Sequence, residues 1–442
     1  MIRTAKDALK NIALLILAVS TCLLTYRTWV YDETLIPQRM TIALGDTLAL
    51  FGVPSGTQGA RPIEPSAVRI YTEALSPAAI AVTFPGGGRY MAGYDTGEAA
   101  RLYARFHAHI GEAIGSAGEP RRITALQWRE ALLAPGVYID YGGRAPLSAI
   151  ARWTGAEAPA HLGGTVSRLL LAFDDEGGTL YYMSESDGFY YAAASAVTGE
   201  VVFSKLQLLS TRDFLFACQS PAATGLDPDC PLPVETPRLP DVRLAVPDLS
   251  GDAYTALLEA FHMNPYTNYG YTQNDGSRAI VSGGRTLTLS ADGYVVYTDT
   301  VAEGEAGISP DAGLLALTAE EAGIELSASL LQQAVAPLLR EGQICLLGTE
   351  EAGSTVTVTY GYRFSGAPVV LARTGGAARF TFENGRLVSS SILIRAFEGL
   401  DSSARLMPAT VAAALADTEG ARLTLGYVQG GSDTISALWL YR

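Results

Sequence analysis

The stretch "AFHMNPYTNYGYTQNDGSRAIV", residues 260–281, decides how the second half of this chain folds. "AFHM" closes a helix, because Pro265 lacks the backbone N–H that a further turn requires. "NYGYTQ" then predicts a strand, and "NDG" predicts the tight turn that ends it. Tyr269 and Tyr271 are two residues apart, so they share one face of that strand. The stretch therefore predicts a junction from helix to sheet.

The same stretch has an alternative interpretation as a ligand loop, because it holds His262 and three asparagines. An EF-hand calcium loop places its ligands at alternate positions and ends on a glutamate. The segment from Asn264 to Asp275 fits neither requirement. We therefore favour the interpretation that the stretch is a structural junction, and a ligand loop stays the alternative.

The order of a helix followed by strands repeats further along the chain. A second helix is predicted over 318–340, where Thr318 and Glu321 have the spacing of a capping box. One hairpin also recurs, since "RTLTLSADGYVVYT" is matched by "ARFTFENGRLVSSS" and more loosely by "LLLAFDDEGGTLYYMS". We therefore predict a repeated helix-plus-strands module in the C-terminal half, with a middle α+β module at 250–305 and a C-terminal α+β module at 306–442.

An N-terminal extracytoplasmic α+β domain is predicted at 32–218. Its clearest helix starts at Thr96, after which apolar residues recur at helical spacing. The residues of that stripe are Ala99, Leu102, Tyr103, Phe106, Ile110, Ala113 and Ile114. Seven of the 22 prolines then lie within 219–250, a run that argues against a helix or an inner strand. We predict a Pro-rich linker at 219–249.

The beginning of the chain predicts a membrane anchor. Residues 1–10 are basic, and no charge occurs from Ile12 to Leu24. Since about 20 residues cross a bilayer, 11–31 suffices for one transmembrane helix. Positive charge before the span predicts a cytoplasmic tail at 1–10 and an extracytoplasmic bulk, in a single-pass protein of the cell membrane. The expected interface anchors are Tyr26, Arg27, Trp29 and Tyr31.

Two alternatives to an uncleaved anchor stay open. A cleaved signal peptide would use the small residues at 18–20, but that cut leaves only Ile12–Leu17 as its apolar core. A lipoprotein would use Cys22, but Thr21 is a poor residue before a lipidated cysteine. The fold class that we predict is therefore α+β, with a membrane helix followed by mixed α+β outer domains that contain antiparallel sheets.

Small or weakly polar side chains form one stripe of the predicted span. The members of this stripe are Ala18, Thr21, Cys22 and Thr25. Small residues let helix backbones approach closely in a bilayer, and hydroxyl groups can hydrogen-bond across the interface. We expect the stripe to dock on another transmembrane helix. The alternative is that these side chains bond only their own backbone.

The net charge and the cysteine content limit which partners and which disulfide bonds the sequence predicts. The net charge of −14 argues against a nucleic-acid partner. Cys218 and Cys230 flank much of the Pro-rich run, and the sequence leaves open whether they pair or stay as free thiols. The cysteines have no metal-ligand spacing.

The sequence carries no constellation that predicts catalysis, a cofactor or a metal. His107 and His109 are two apart on a helix and so face different sides, while Glu112 adds at most one further ligand to His109. The serine-hydrolase and zinc-protease motifs are absent. Acidic residues at 174–176 lie in a predicted turn, where a solvated tip is the default interpretation. We therefore predict a protein that is not an enzyme.

A resemblance to a known family rests on two parts of the chain. They are the anchor ending in "LLTYRTWVY" and the block "FHMNPYTNYGYTQNDGSRAIVSGGRTLTLSADGYVVYT". Together with the mixed α+β outer part, they resemble the YycH/YycI family of Gram-positive bacteria, in the clostridial form of its YycH type. The resemblance implies an N-terminal domain and two C-terminal domains of similar topology, with no catalytic residues.

The resemblance also implies a function. Family members are single-pass accessory proteins that regulate the sensor histidine kinase WalK, also called YycG, in a two-component system for cell-wall homeostasis. The expected partners are such a kinase and a sister anchor protein of the YycI type. The alternative is an anchored cell-envelope hydrolase or a wall-binding module.

Overall fold

A computed structural model describes residues 75–442, apart from 96, 176, 208, 210–211, 267–268, 301–306, 311–313, 315–316, 372–375 and 431. The predicted tail at 1–10 and the membrane helix at 11–31, with its stripe and interface anchors, lie outside the described residues. Within the described part of the chain, no helix is both long and apolar enough to span a bilayer.

Seven α-helices occur in this part of the chain. They are α1 (Glu98–Gly115), α2 (Ala125–Leu133), α3 (Leu147–Trp153), α4 (Gly199–Ser204), α5 (Gly251–Ala260), α6 (Ala319–Ala334) and α7 (Ala409–Ala414).

Twenty-three strands accompany them among the described residues. They are β1 (Ala79–Thr83), β2 (Arg89–Gly93), β3 (Arg121–Ile123), β4 (Gly136–Pro146), β5 (Thr165–Phe173), β6 (Gly178–Met183), β7 (Tyr190–Ser195), β8 (Phe214–Phe216), β9 (Pro231–Pro233), β10 (Pro240–Ala245), β11 (Tyr269–Thr272), β12 (Arg278–Ser282), β13 (Arg285–Leu289), β14 (Tyr294–Asp299), β15 (Gln343–Ala352), β16 (Thr355–Phe364), β17 (Ala367–Val370), β18 (Ala378–Glu383), β19 (Arg386–Leu393), β20 (Ala396–Ser403), β21 (Leu423–Val428), β22 (Thr434–Ile435) and β23 (Ala437–Tyr441). The predicted class, mixed α+β with antiparallel sheets, is confirmed.

The N-terminal part is built on a seven-stranded sheet in the order β2-β1-β4-β5-β6-β7-β3. Every neighbouring pair in it is antiparallel. Helix α1 covers one face with the apolar stripe that the sequence predicted, all of it buried. Helix α2 covers the other face, where Trp128 is fully buried in a second apolar core. Two-sided coverage explains why β1 is buried at all five positions.

The C-terminal part is built on an eleven-stranded sheet. Its order is β11-β12-β13-β14-β19-β18-β16-β17-β21-β23, and β15 also pairs with β16. The two recurring hairpins, β13–β14 and β18–β19, lie side by side because β14 pairs antiparallel with β19. The order of a helix followed by strands occurs twice, as α5 with β11–β14 and as α6 with β15–β19. Helices α5 and α6 pack against each other.

Helix α6 begins as its sequence predicted. The Thr318 side chain accepts the Glu321 backbone N–H at 3.2 Å, and the Glu321 carboxylate accepts the Thr318 N–H at 3.1 Å. This reciprocal capping satisfies two backbone donors that a helix start leaves without partners.

The Pro-rich run differs from the prediction that it contains no helix and no inner strand. Strand β10 is the central strand of a three-stranded sheet with β20 and β22, and Pro221–Ala223 forms one turn of 3-10 helix. Both are compatible with proline because Pro240 and Pro221 are the first residues of their elements, where a missing N–H costs little. Residues Leu226 and Leu232 are buried against α7, so this part of the run is packed. The domain boundaries themselves stay a prediction.

Candidate functional site

The structure explains why His262 stands at the end of α5. The His262 N–H donates to the Glu259 carbonyl at 3.0 Å, and the Met263 N–H donates to the Leu258 carbonyl at 2.8 Å. This pair of bonds is a Schellman motif, which needs a left-handed residue at the position of His262. His262 has a φ of 50°. The histidine therefore ends helix α5, in agreement with the interpretation that this stretch is a structural junction.

The "NDG" turn is stabilised by its own side chain. The Asp275 Oδ1 accepts hydrogen bonds from the Ser277 N–H at 2.9 Å and the Ser277 hydroxyl at 2.6 Å. These two bonds lower the pKa of the Asp275 carboxyl. Gly276 has a φ of 81°, a conformation that favours glycine. The Asp275 carboxylate thus stabilises the turn itself.

Strand β11 and its tyrosines form an exposed surface at the end of the C-terminal sheet. Among the described residues, β11 is hydrogen-bonded on one side alone, to β12. Tyr266, Tyr269 and Tyr271 are 57%, 70% and 46% exposed, and the rings of Tyr269 and Tyr271 lie 6.0 Å apart. We call β11 with these three tyrosines the β11 surface. An open strand edge can accept a further strand, and tyrosine is enriched at protein interfaces.

A second feature lies between the two large sheets, where five charged side chains meet. The Arg422 guanidinium donates to Asp140 and to Asp229, each at 2.6 Å. Arg168 donates to Asp229 at 2.7 Å and to Asp227 at 2.6 Å. Asp229 is fully buried and Arg168 is 5% exposed. We call these five residues the buried charge cluster.

The pKa shifts within the buried charge cluster follow from burial and pairing. Burial alone would raise the pKa of Asp229, but Arg422 and Arg168 lower it below its ordinary value. Burial and the neighbouring Asp229 raise the pKa of Asp227. Burial would lower the pKa of Arg168, but Asp229 raises it well above the ordinary value. Asp229 and Arg168 therefore stay charged, and the ion pairs of the cluster join distant segments of the chain.

Close backbone contacts join the two sheets beside the cluster. Arg363, from β16, donates to the Ser76 carbonyl at 2.5 Å and to the Tyr141 carbonyl. A Cβ atom added to Gly143 would lie 2.0 Å from the Leu346 carbonyl oxygen, so strands β4 and β15 meet where no side chain fits. The β4–β5 register shifts between Asp140 and Ala145, and the resulting bulge makes this contact.

A cleft of about 340 Å³ opens at this junction. Strands of both sheets line it, and so do five arginines. These arginines are Arg144, Arg168, Arg363, Arg422 and Arg442. We call it the arginine cleft. Its volume lies at the lower end of the range for small-molecule sites.

The cysteines and the histidines of α1 do not converge on a site among the described residues. Cys218 is exposed and Cys230 buried, and both are free thiols. Cys230 donates to the Leu423 carbonyl at 3.3 Å, and burial raises the pKa of its thiol to about 11. The His109 Nδ1 atom lies 3.3 Å from the Glu112 carboxylate, one turn further along α1. In the described part of the chain, no three metal-ligating side chains come together.

None of the five residues of the buried charge cluster stands out in the sequence. Its local signals are two aspartates in "DPDC", at 227–230, and one arginine before an apolar strand. Neither signal identifies a partner, because the pairing depends on how the two sheets pack.

Comparison with known proteins gives one informative result. No family model matches the sequence, and no curated protein does. Among solved structures, the crystal structure of YycH from Bacillus subtilis is similar, with a TM-score of 0.50 and 11% sequence identity. The match covers 84% of this chain and 94% of that chain. Similarity at this level of identity shows the fold alone, so the chain has a YycH-like fold.

Proposed function

We propose that this protein is a membrane-anchored extracytoplasmic accessory protein that regulates a sensor histidine kinase of a cell-wall two-component system. The supporting observation is the fold similarity to YycH, which extends over 84% of this chain. Coverage of this extent involves the whole architecture rather than one common module. We further propose that the kinase is of the WalK type and that a sister YycI-like protein is a second partner. Within the YycH/YycI family, we propose that the chain is of the clostridial YycH type.

The β11 surface is the contact region that we propose outside the membrane. Its three tyrosines are exposed large hydrophobic side chains, and its strand edge is open among the described residues. Backbone hydrogen bonds along such an edge give affinity, while side chains at alternate positions give specificity. The proposed occupant is the extracytoplasmic part of the kinase.

The small-residue stripe is the contact that we propose within the membrane. Ala18, Thr21, Cys22 and Thr25 lie outside the described residues, so this part rests on the sequence. Changing Ala18 and Cys22 to Leu raises hydrophobicity and should keep insertion, yet should weaken helix association. Changing Ile16 to Leu and Leu23 to Ile, on the opposite side of the predicted helix, is the matched control.

The test combines capture of the kinase with a reporter of kinase output. Full-length wild type, the Ala18→Leu/Cys22→Leu variant and the control variant would be expressed with the kinase and purified from membranes. We expect the kinase to co-purify with wild type and control, and less with the stripe variant. Equal recovery from all three would remove the stripe from the mechanism. Failure to capture the kinase, with an unchanged reporter after deletion of this gene, would contradict the proposed function.

The alternative of an envelope hydrolase or wall-binding module has its own readout. Incubation of the purified full-length protein with peptidoglycan would release soluble fragments from a hydrolase and would retain a wall-binding module in the pellet. We expect neither result.

A further inference from the structure

Two arginines of the arginine cleft lack a partner in the described structure. Arg144 lies in the β4 bulge and Arg442 follows β23, and both are exposed. Neither side chain has a hydrogen-bond or ion-pair partner among the described residues. Arginine is the side chain best suited to hold carboxylate or phosphate oxygens. Two such guanidinium groups on one cleft are therefore available to a ligand.

The backbone fixes where these two arginines stand. Arg442 exchanges backbone hydrogen bonds with Arg422 at 2.8 and 3.0 Å. The Asp140 carboxylate accepts the Gly142 N–H at 2.7 Å, and Gly142 has a φ of 67°. This turn, together with the close contact of Gly143 on β15, shapes the bulge that carries Arg144. Bulges commonly re-aim side chains beside functional sites.

The carboxylates near the cleft already accept hydrogen bonds from other side chains. Asp140 and Asp229 accept from Arg422, and Glu185 accepts from the Ser167 hydroxyl. Within the described part of the chain, Arg363 donates to two neutral carbonyls, so its charge also stays uncompensated. Desolvation lowers the pKa of Arg442, although that residue remains exposed, and the positive charge of Arg363 lowers it further. The cleft thus has an excess of positive charge in a chain whose net charge is −14.

We propose that the arginine cleft binds a small oxyanion, a carboxylate or a phosphate, through Arg144 and Arg442. An anion there would bridge the β4 bulge of the N-terminal sheet and the end of the C-terminal sheet. Because binding to the folded state alone stabilises that state, the ligand would raise the melting temperature. The proposal does not depend on the kinase contact, which we place on other surfaces.

Calorimetry and thermal unfolding of the full-length protein test the site. The probes are inorganic phosphate, citrate and glycerol phosphate at constant ionic strength, with chloride as the control salt. We expect saturable binding of at least one oxyanion and a matching rise in melting temperature. Preference for glycerol phosphate over inorganic phosphate would indicate a lipid headgroup as the source, and the reverse would indicate a free anion. Absence of saturable binding for all three probes would overturn the proposal.

Substitution locates the binding. In the Arg144→Gln/Arg442→Gln variant we expect at least a tenfold loss of affinity. The Arg121→Gln/Arg405→Gln variant removes the same charge at exposed positions away from the cleft, and should bind as wild type. Equal loss in both variants would show a general charge effect and overturn the site.

A measurement on the wild-type protein covers the case in which the cleft variant fails to fold. Phenylglyoxal modifies accessible arginines, and peptide mass spectrometry reports each position. Phosphate or citrate should protect Arg144 and Arg442 while leaving Arg121 and Arg405 reactive. Unchanged modification of Arg144 and Arg442 would contradict the proposal.

Discussion

The guanidinium of Arg422 donates a 2.6 Å hydrogen bond to the carboxylate of Asp140, which lies 282 residues earlier in the chain. Asp140 belongs to β4 of the N-terminal sheet, and Arg422 directly precedes β21 of the C-terminal sheet. The same guanidinium holds the fully buried Asp229. One side chain therefore joins the two sheets and the Pro-rich run between them.

Removal of the Asp229 charge should be strongly destabilising. Asp229→Asn leaves the buried Arg168 and the half-buried Arg422 with too little compensating charge, and we expect the free energy of unfolding to fall by about 3–5 kcal/mol. Urea unfolding of the purified full-length protein measures this. The control is Glu398→Gln, which breaks an exposed 3.3 Å pair with Arg243 and should cost less than about 1 kcal/mol. Similar losses in both variants would contradict the central role of the cluster.

Stability should fall in acid because of the same carboxyl group. The pKa of Asp229 is lowered in the folded protein from an ordinary value of 3.8, so the unfolded chain binds more protons. Its contribution is complete above that ordinary value and is lost as pH falls through the folded pKa. The pKa of Asp227 is raised in the folded protein, so its contribution to stability is present at low pH and is lost as pH rises through the folded pKa. Unfolding measured between about pH 2 and 6 should show a weaker acid decline in Asp229→Asn than in wild type. Identical declines would refute the assignment.

His262 and Gly276 both have left-handed backbones, and replacing them should have opposite effects. His262→Gly removes a strained side chain at a helix end, and should leave stability unchanged or raise it by about 1 kcal/mol. Gly276→Val adds a side chain to a φ of 81° and should lower stability by about 1–2 kcal/mol. Thermal unfolding and the kinase reporter check both variants. Loss of regulation by His262→Gly with an unchanged melting temperature would show that the histidine is a site.

The contact between β4 and β15 should not tolerate a side chain at Gly143. A Cβ atom there would lie 2.0 Å from the Leu346 oxygen, so the backbone must move. We expect Gly143→Ala to lower the free energy of unfolding by about 1–3 kcal/mol. Gly86→Ala is the matched control, because no atom lies within 4 Å of its added Cβ. Equal urea midpoints for the two variants would be incompatible with the tight contact.

The β11 surface should contribute affinity rather than stability. Tyr269→Thr/Tyr271→Thr keeps a residue that favours strands, and should change the free energy of unfolding by about 0.5 kcal/mol or less. Binding of the kinase should weaken by about tenfold or more, as expected for loss of tyrosine anchors. Val234→Thr, at a position 55% exposed elsewhere, is the control. Unchanged binding by the double variant would exclude the β11 surface as the contact.

Much of the fold follows from local sequence. The α1 stripe, the Thr318–Glu321 capping box, the end of α5 before Pro265 and the turn at Gly276 all appear where the sequence predicts them. Each depends on residues at most a few turns apart, so periodicity and backbone preference are enough to identify it. The expectation of no helix and no inner strand in the Pro-rich run is wrong, because Pro240 and Pro221 are the first residues of their elements, where a missing N–H costs little.

The charge cluster and the cleft were decided by the tertiary structure alone. A carboxylate such as Asp140 or Asp229 has the same local pattern whether it faces solvent or a guanidinium from the far end of the chain. The packing of the two sheets brings Arg422 to both carboxylates. The same packing leaves the Arg144 and Arg442 side chains without hydrogen-bond or ion-pair partners among the described residues. Local sequence patterns are enough to identify many of the elements, the helix ends and the mixed α+β class. The tertiary structure chose which charges pair, because pair energies depend on distance and burial that no local pattern contains.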